Sequence, residues 1–235
     1  MAASWCAMEA SGRQPWIWRL LRPAVIATGP LKVLRRIGPY GYLDERIPQV
    51  VERWGAKRVL ERLCVDENAI DMADAAWERL GDLATSGKRL SLPTREAANR
   101  VALDLLDACV ELPEEEEDNP GATLVGSVVE VIGTKVARME FDSGAPGSGQ
   151  VMGAWRVQKK FFVTGDTGAV AVYDNLTDVL AWWISDWHYA DIECSGLKVS
   201  SIEALGLVPS DDSQADRSMR INGRWWKRRD AMPGT

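Results

Sequence analysis

The sequence predicts an α+β protein, with a helical N-terminal part followed by a small antiparallel sheet covered by a helix. Three observations predict it. Up to Leu112 the apolar residues recur at helical spacing; beyond an acidic run they fall in short stretches of Val, Ile, Phe and Trp punctuated by Gly; and amid those stretches a single uninterrupted helical stripe returns, from Leu176 to Trp187. At 235 residues, 46% apolar and 26% charged, the chain has the composition of an ordinary folded protein, which excludes a disordered or collagen-like chain.

Taken in order, residues 1–43 form a basic, Trp- and Pro-containing segment with six cations against the single acid Glu9. Targeting peptides and membrane-surface helices share that composition, but Pro15, Pro23, Pro30 and Pro39 argue against one long amphipathic helix here. Residues 44–112 read as a helical domain. Ile47, Val50, Val51 and Trp54 line one helix, Gly55 bends or ends it, and Ala56, Val59, Leu60, Leu63 and Cys64 line the next. Ile70, Ala73, Ala76, Trp77, Leu80 and Ala84 mark a third, and Ala98, Val101, Ala102, Leu105, Cys109 and Leu112 a fourth that stops at Pro113. A DNA-reading helix-turn-helix is disfavoured, because Asp71, Asp74, Glu78 and Asp82 on the third helix would repel phosphate.

Residues 113–123 are an acidic linker, in which consecutive carboxylates repel and Asn119-Pro120-Gly121 favours a turn. Residues 124–209 read as the sheet-plus-helix domain. Strands are predicted over 124–132 and 134–142, followed by a glycine-rich loop over 143–149 that lacks the spacing of a phosphate cradle. Residues 154–163 and 169–173 flank a turn over 164–168 and predict an antiparallel hairpin. Asp174 or Asn175 caps the helix carrying Leu176, Val179, Leu180, Trp183, Ile184 and Trp187, and Ser200 with Glu203 matches a capping box. Residues 210–235 form a basic, Trp-rich tail with a tight hairpin at Asn222-Gly223.

The chemistry is bounded mainly by what is scarce. With His188 as the only histidine, sites that need two imidazoles are excluded, and the widely separated Cys6, Cys64, Cys109 and Cys194 offer no CxxC pair. No metal and no cofactor is expected. So few cysteines also lack the density of a secreted disulfide scaffold, and no stretch approaches the ~20 apolar residues of a spanning helix, so a cytoplasmic location is expected. One cluster is suggestive of catalysis: His188 paired to Asp191 would act as general base toward Cys194 or Ser195. Against it, triad members usually come from separated elements, and a histidine at a helix C-terminus is favoured by the dipole alone.

Tryptophan is the compositional extreme, with 11 Trp against 4 Tyr and 3 Phe. Those on helical stripes, Trp54, Trp77, Trp183 and Trp187, read as core. Of the others, Trp16 and Trp18, and Trp225 and Trp226, fall beside cations in two clusters, and Trp182 is likewise not explained by periodicity; indoles next to guanidinium groups have the composition of interaction hot spots. The candidate binding residues are therefore Trp16, Trp18, Arg19, Arg22, Trp182, Arg224, Trp225, Trp226 and Arg228. The leading expectation is a non-enzymatic interaction protein, of an accessory or immunity type, that grips a protein partner through Trp/Arg-rich surfaces. Alternatives are a nucleic-acid-binding accessory factor using the basic termini, and a hydrolase or transferase around His188; peripheral membrane contact by the N-terminal segment is a further, minor option.

Overall fold

The computed structural model describes residues 15–37, 92–111, 120–142, 149–165, 168–186, 190–211 and 218–229. The helices expected between 44 and 84 and the loop at 143–148 lie outside the described residues, as do Trp187 and His188. The chain forms two compact units, and the division between them falls at Ile132/Gly133, one helix downstream of the acidic run.

The first unit contains α1 (Pro15–Thr28), α2 (Pro30–Ile37), α3 (Leu92–Glu111) and α4 (Pro120–Ile132). In α1, Ile17, Trp18, Leu21, Ala24 and Val25 are buried at the spacing of one helical face. The helix continues through Pro23, because apolar side chains on both sides of that proline are buried and offset the missing backbone hydrogen bond. Gly29, at φ 98°, ends α1 by donating its N–H to the Val25 carbonyl at 3.0 Å, a left-handed geometry that favours glycine. α2 then packs mainly on α3 and α4. Its first turn is held by the Asn99 side chain of α3, whose Oδ1 accepts the Leu31 N–H at 3.0 Å.

The strand expected over 124–132 is instead the helix α4. Leu124, Val125, Val128 and Val129 are all buried, a helical spacing that lets this Val-rich segment face the bundle, so burial overrides the β preference of its residues. Pro120 opens it at the first helical position, where its missing N–H costs nothing.

The second unit is an eight-stranded sheet in the order β4-β3-β2-β1-β5-β7-β8-β6. The strands are β1 (Thr134–Asp142), β2 (Gly149–Val157), β3 (Lys160–Gly165), β4 (Gly168–Tyr173), β5 (Ala190–Cys194), β6 (Leu207–Pro209), β7 (Ser218–Ile221) and β8 (Arg224–Arg228). The sheet is thus larger than expected, and mixed, because β5 and β7 run parallel while every other neighbouring pair is antiparallel. The single extended run expected over 154–163 is two strands. A tight turn at Gln158-Lys159 separates β2 from β3, with Gln158 at φ 54° supplying the left-handed residue without any glycine to announce it.

One face of this sheet carries the core, where Ala137, Met139, Phe141, Ala154, Val163 and Ile192 alternate inward along their strands. The same cluster includes Val179, Leu180, Trp183 and Ile184 from α5 (Leu176–Asp186). As expected, Asn175 caps that helix: its Oδ1 accepts the Asp178 N–H at 2.9 Å. Arg228 of β8 holds the other end by donating to the carbonyls of Ile184 and Ser185, at 2.5 and 3.2 Å. The expected capping box does not form. α6 (Val199–Ala204) starts one residue before Ser200 and its boundary residue is Lys198, so the serine is inside the helix.

On the opposite face, Trp155 lies across from the buried Phe162 and donates its indole N–H to Thr164 Oγ1 at 3.0 Å. Gly153 makes room for that ring, since a Cβ there would stand 2.7 Å from Trp155 Nε1 and 3.3 Å from Thr164 Oγ1. Gly153→Ala is therefore expected to displace the indole and break its hydrogen bond. A loss of about 1–3 kcal/mol in urea unfolding should result, and unchanged stability would show that the ring relaxes freely.

Candidate functional site

The candidate residues of the N-terminal cluster divide by their position around α1. Trp18 and Arg22 turn inward to one carboxylate on α3. Asp107 Oδ1 accepts the Trp18 indole N–H at 2.6 Å and the Arg22 Nε–H at 3.0 Å, while its Oδ2 accepts from Arg22 Nη2 at 2.9 Å. The Asp107 hydrogen bond, assisted by the charges of Asp107 and Asp104 and partly opposed by burial, holds the Arg22 guanidinium above its ordinary pKa. Trp16 and Arg19 face outward, and both are exposed.

Two residues that sequence patterning does not single out join them. Leu20 and Ile26 lie on the same outer face, and among the described residues the exposed large hydrophobics are Trp16 (41%), Leu20 (37%), Ile26 (49%) and Val199 (48%). Three of the four are on one helix. The signal was present as a helix apolar around most of its circumference, which a search for a single inward stripe passes over.

The C-terminal candidates are mostly structural. Trp226 is buried in the sheet core with Arg224 over its ring at 5.5 Å, and Arg228 is spent on the end of α5. Trp182 stacks on Tyr173 with ring centroids 6.0 Å apart. Trp225 is half-buried, whereas Arg224 is exposed.

Of the suggested catalytic cluster, His188 lies outside the described residues. β5 alternation places Cys194 on the core face, while Asp191 pairs on the other face with Arg220, at 3.2 Å. Burial pushes the Cys194 thiol up to about 11, so little thiolate exists near neutrality.

A groove of about 530 Å³ runs over this end of the sheet, lined by Lys135, Arg138, Asp191, Glu193, Ser195, Arg220 and Asn222 among others. Its floor is built by two backbone irregularities. A bulge between Lys135 and Ala137 lets Lys135 and Arg138, three residues apart, both reach the groove, where regular alternation would separate them. Asn222, at φ 49° in the tip of the β7–β8 hairpin, continues the short parallel pairing with its side chain. Its Oδ1 accepts the Cys194 N–H at 2.7 Å, its Nδ2 donates to the Cys194 carbonyl at 3.0 Å, and its own N–H reaches the Ile192 carbonyl at 2.8 Å. Chemically the groove mixes both charges, with Arg138 directly across from Glu193 and Asp191 beside Arg220, while the like-charged Glu140 across from Asp191 is paired by Arg138. No group of three metal-ligating side chains occurs among the described residues. Asp191, Cys194, Ser195 and Asn222 were singled out in sequence for other reasons, but their meeting with Lys135, Arg138 and Arg220 was not legible, because cross-strand register, not spacing, assembles the groove.

Two outcomes follow. Asn222→Gly keeps the left-handed backbone but deletes the clamp, so a loss of about 1–3 kcal/mol is expected, with faster hydrogen exchange at the Cys194 amide; exchange at the parental rate would show that the side chain holds nothing. For Cys194, an unfolded thiol releases its proton near 9.0, before the folded one does near 11, so stability from the neutral thiol is complete below about 9 and declines between the two values. Alkylation of the Cys194 peptide at pH 8, followed by mass spectrometry, should accordingly be roughly a hundredfold slower in the folded protein than in urea, and equal rates would contradict that burial. No family model, no curated protein and no solved structure matches this chain.

Proposed function

We propose that this chain is a non-enzymatic interaction protein that binds a macromolecular partner through the outer face of α1. The observation that carries this reading is the placement of Trp16, Leu20 and Ile26, with Arg19 among them, on the solvent side of a helix whose other side is already buried. Exposed apolar side chains scattered singly need no explanation, but a contiguous stripe does. An indole beside a guanidinium is the composition of binding hot spots, and here the two are free to meet a partner. Trp18, Arg22, Trp226 and Arg228 take no part in that surface, because their partners are inside the protein.

The paired variants Arg19→Glu and Arg22→Ala separate binding from folding. Arg19→Glu should melt like the parent and lose capture of the partner by a photo-crosslinking residue placed at position 16. Arg22→Ala should lose about 1 kcal/mol of stability, a modest figure because the ion pair is half-exposed. If crosslinking at position 16 captures neither protein nor lipid in native extract, or captures the same material from the Arg19→Glu variant, the α1 face is not the binding surface.

A further inference from the structure

We infer that the occupant of the α1 face is an anionic phospholipid surface, on which α1 lies flat with Trp16, Leu20 and Ile26 entering the acyl boundary. This rests on the reading of α1 as the binding face and takes its occupant to be a membrane surface instead of a macromolecule. Around the helix, residues 16, 19, 20, 23, 26 and 27 fall within about a third of the circumference, and all six are exposed. Arg19 is their only charge. A helix with one face in its own bundle and an apolar face with a cation outside has the pattern of an interfacial element whose arginine extends to the headgroups.

Charge selects the chemistry of the surface. Residues 15–37 contain five cations and no acid, within a chain of net charge −6. Asp107 occupies Arg22, but Arg19, Lys32, Arg35 and Arg36 are exposed. Such a hairpin is drawn to a negative surface while the acidic remainder of the chain is repelled by it. Length fixes the mode of contact. Fourteen helical residues reach about 21 Å, short of the ~30 Å hydrocarbon core, so α1 can lie in the interface but not cross it; no helix among the described residues is long and apolar enough to cross a membrane.

Other occupants fit less well. Three apolar side chains, each less than half exposed, offer far less than the ~800 Å² per partner of a stable protein interface. A single-stranded nucleic acid would stack on aromatic rings, and this face presents one indole beside two aliphatic side chains.

The test is co-sedimentation of the full chain with vesicles of phosphatidylcholine alone or with added phosphatidylglycerol. Binding to the anionic vesicles is expected to be at least about tenfold tighter and to weaken with salt. Ile26→Asp, and separately Lys32→Glu with Arg35→Glu, should each reduce it at least about tenfold while thermal unfolding by circular dichroism stays unchanged. Equal affinity for neutral vesicles, or binding unaffected by both variants, overturns the inference. Absence of vesicle binding while crosslinking at position 16 still captures a protein overturns the lipid assignment and leaves the α1 face as a binding surface; absence of both removes the two together.

Discussion

One carboxylate ties α1 to its neighbour α3 and marks which side of the helix faces inward. Asp107 takes hydrogen bonds from both Trp18 and Arg22, residues one turn apart on the same side of the helix. With that side turned in, Ile17, Leu21 and Val25 are committed to the interior and Trp16, Leu20 and Ile26 to the exterior. The inner set is the larger, with Ile17, Trp18, Leu21, Ala24 and Val25 all buried. The polar contact agrees with it, because the buried Trp18 indole N–H would lose its acceptor if the helix turned, while the half-exposed Arg22 adds a modest ion pair to the same carboxylate. What the surface offers a partner is thus decided on the opposite side of the helix.

The second unit shows the same division of labour between apolar and polar groups. Alternation along the strands gives the core face and the charged face for no additional cost. It does not fix how β5 meets β7, a parallel pair in register over only Asp191–Arg220 and Ile192–Ile221. The Asn222 amide extends that short ladder by imitating a further peptide unit, and the Asp191–Arg220 ion pair guards its outer side. The groove exists because these two devices hold the β7–β8 hairpin against β5.

Elements with a strong local signal were legible in the sequence. The described parts of the α3 and α5 stripes, the Asn175 cap and the Asn222-Gly223 hairpin occur where periodicity and turn chemistry place them. The segment 120–132 was not, because Val and Ile favour strands until a bundle supplies a helical face to bury them. The turn at Gln158 carries no such signal, since no Gly or Asn marks it. For the candidate site, Trp16 and Arg19 were identifiable from composition. Their separation from Trp18 and Arg22, two and three residues away, was not, because it depends on Asp107, more than eighty residues distant in the chain.

Trp183 and Trp226 sit in the sheet core with indole N–H groups that meet no acceptor. Trp183 is fully buried and Trp226 nearly so, the second with the Arg224 guanidinium over its ring, so bulk solvent does not relax around their excited states and their emission belongs toward the blue end of the tryptophan range. Trp16, facing water, belongs at the red end. Among the eleven indoles, Trp183 and Trp226 thus report on the integrity of the sheet core, and Trp16 on whatever approaches the first helix.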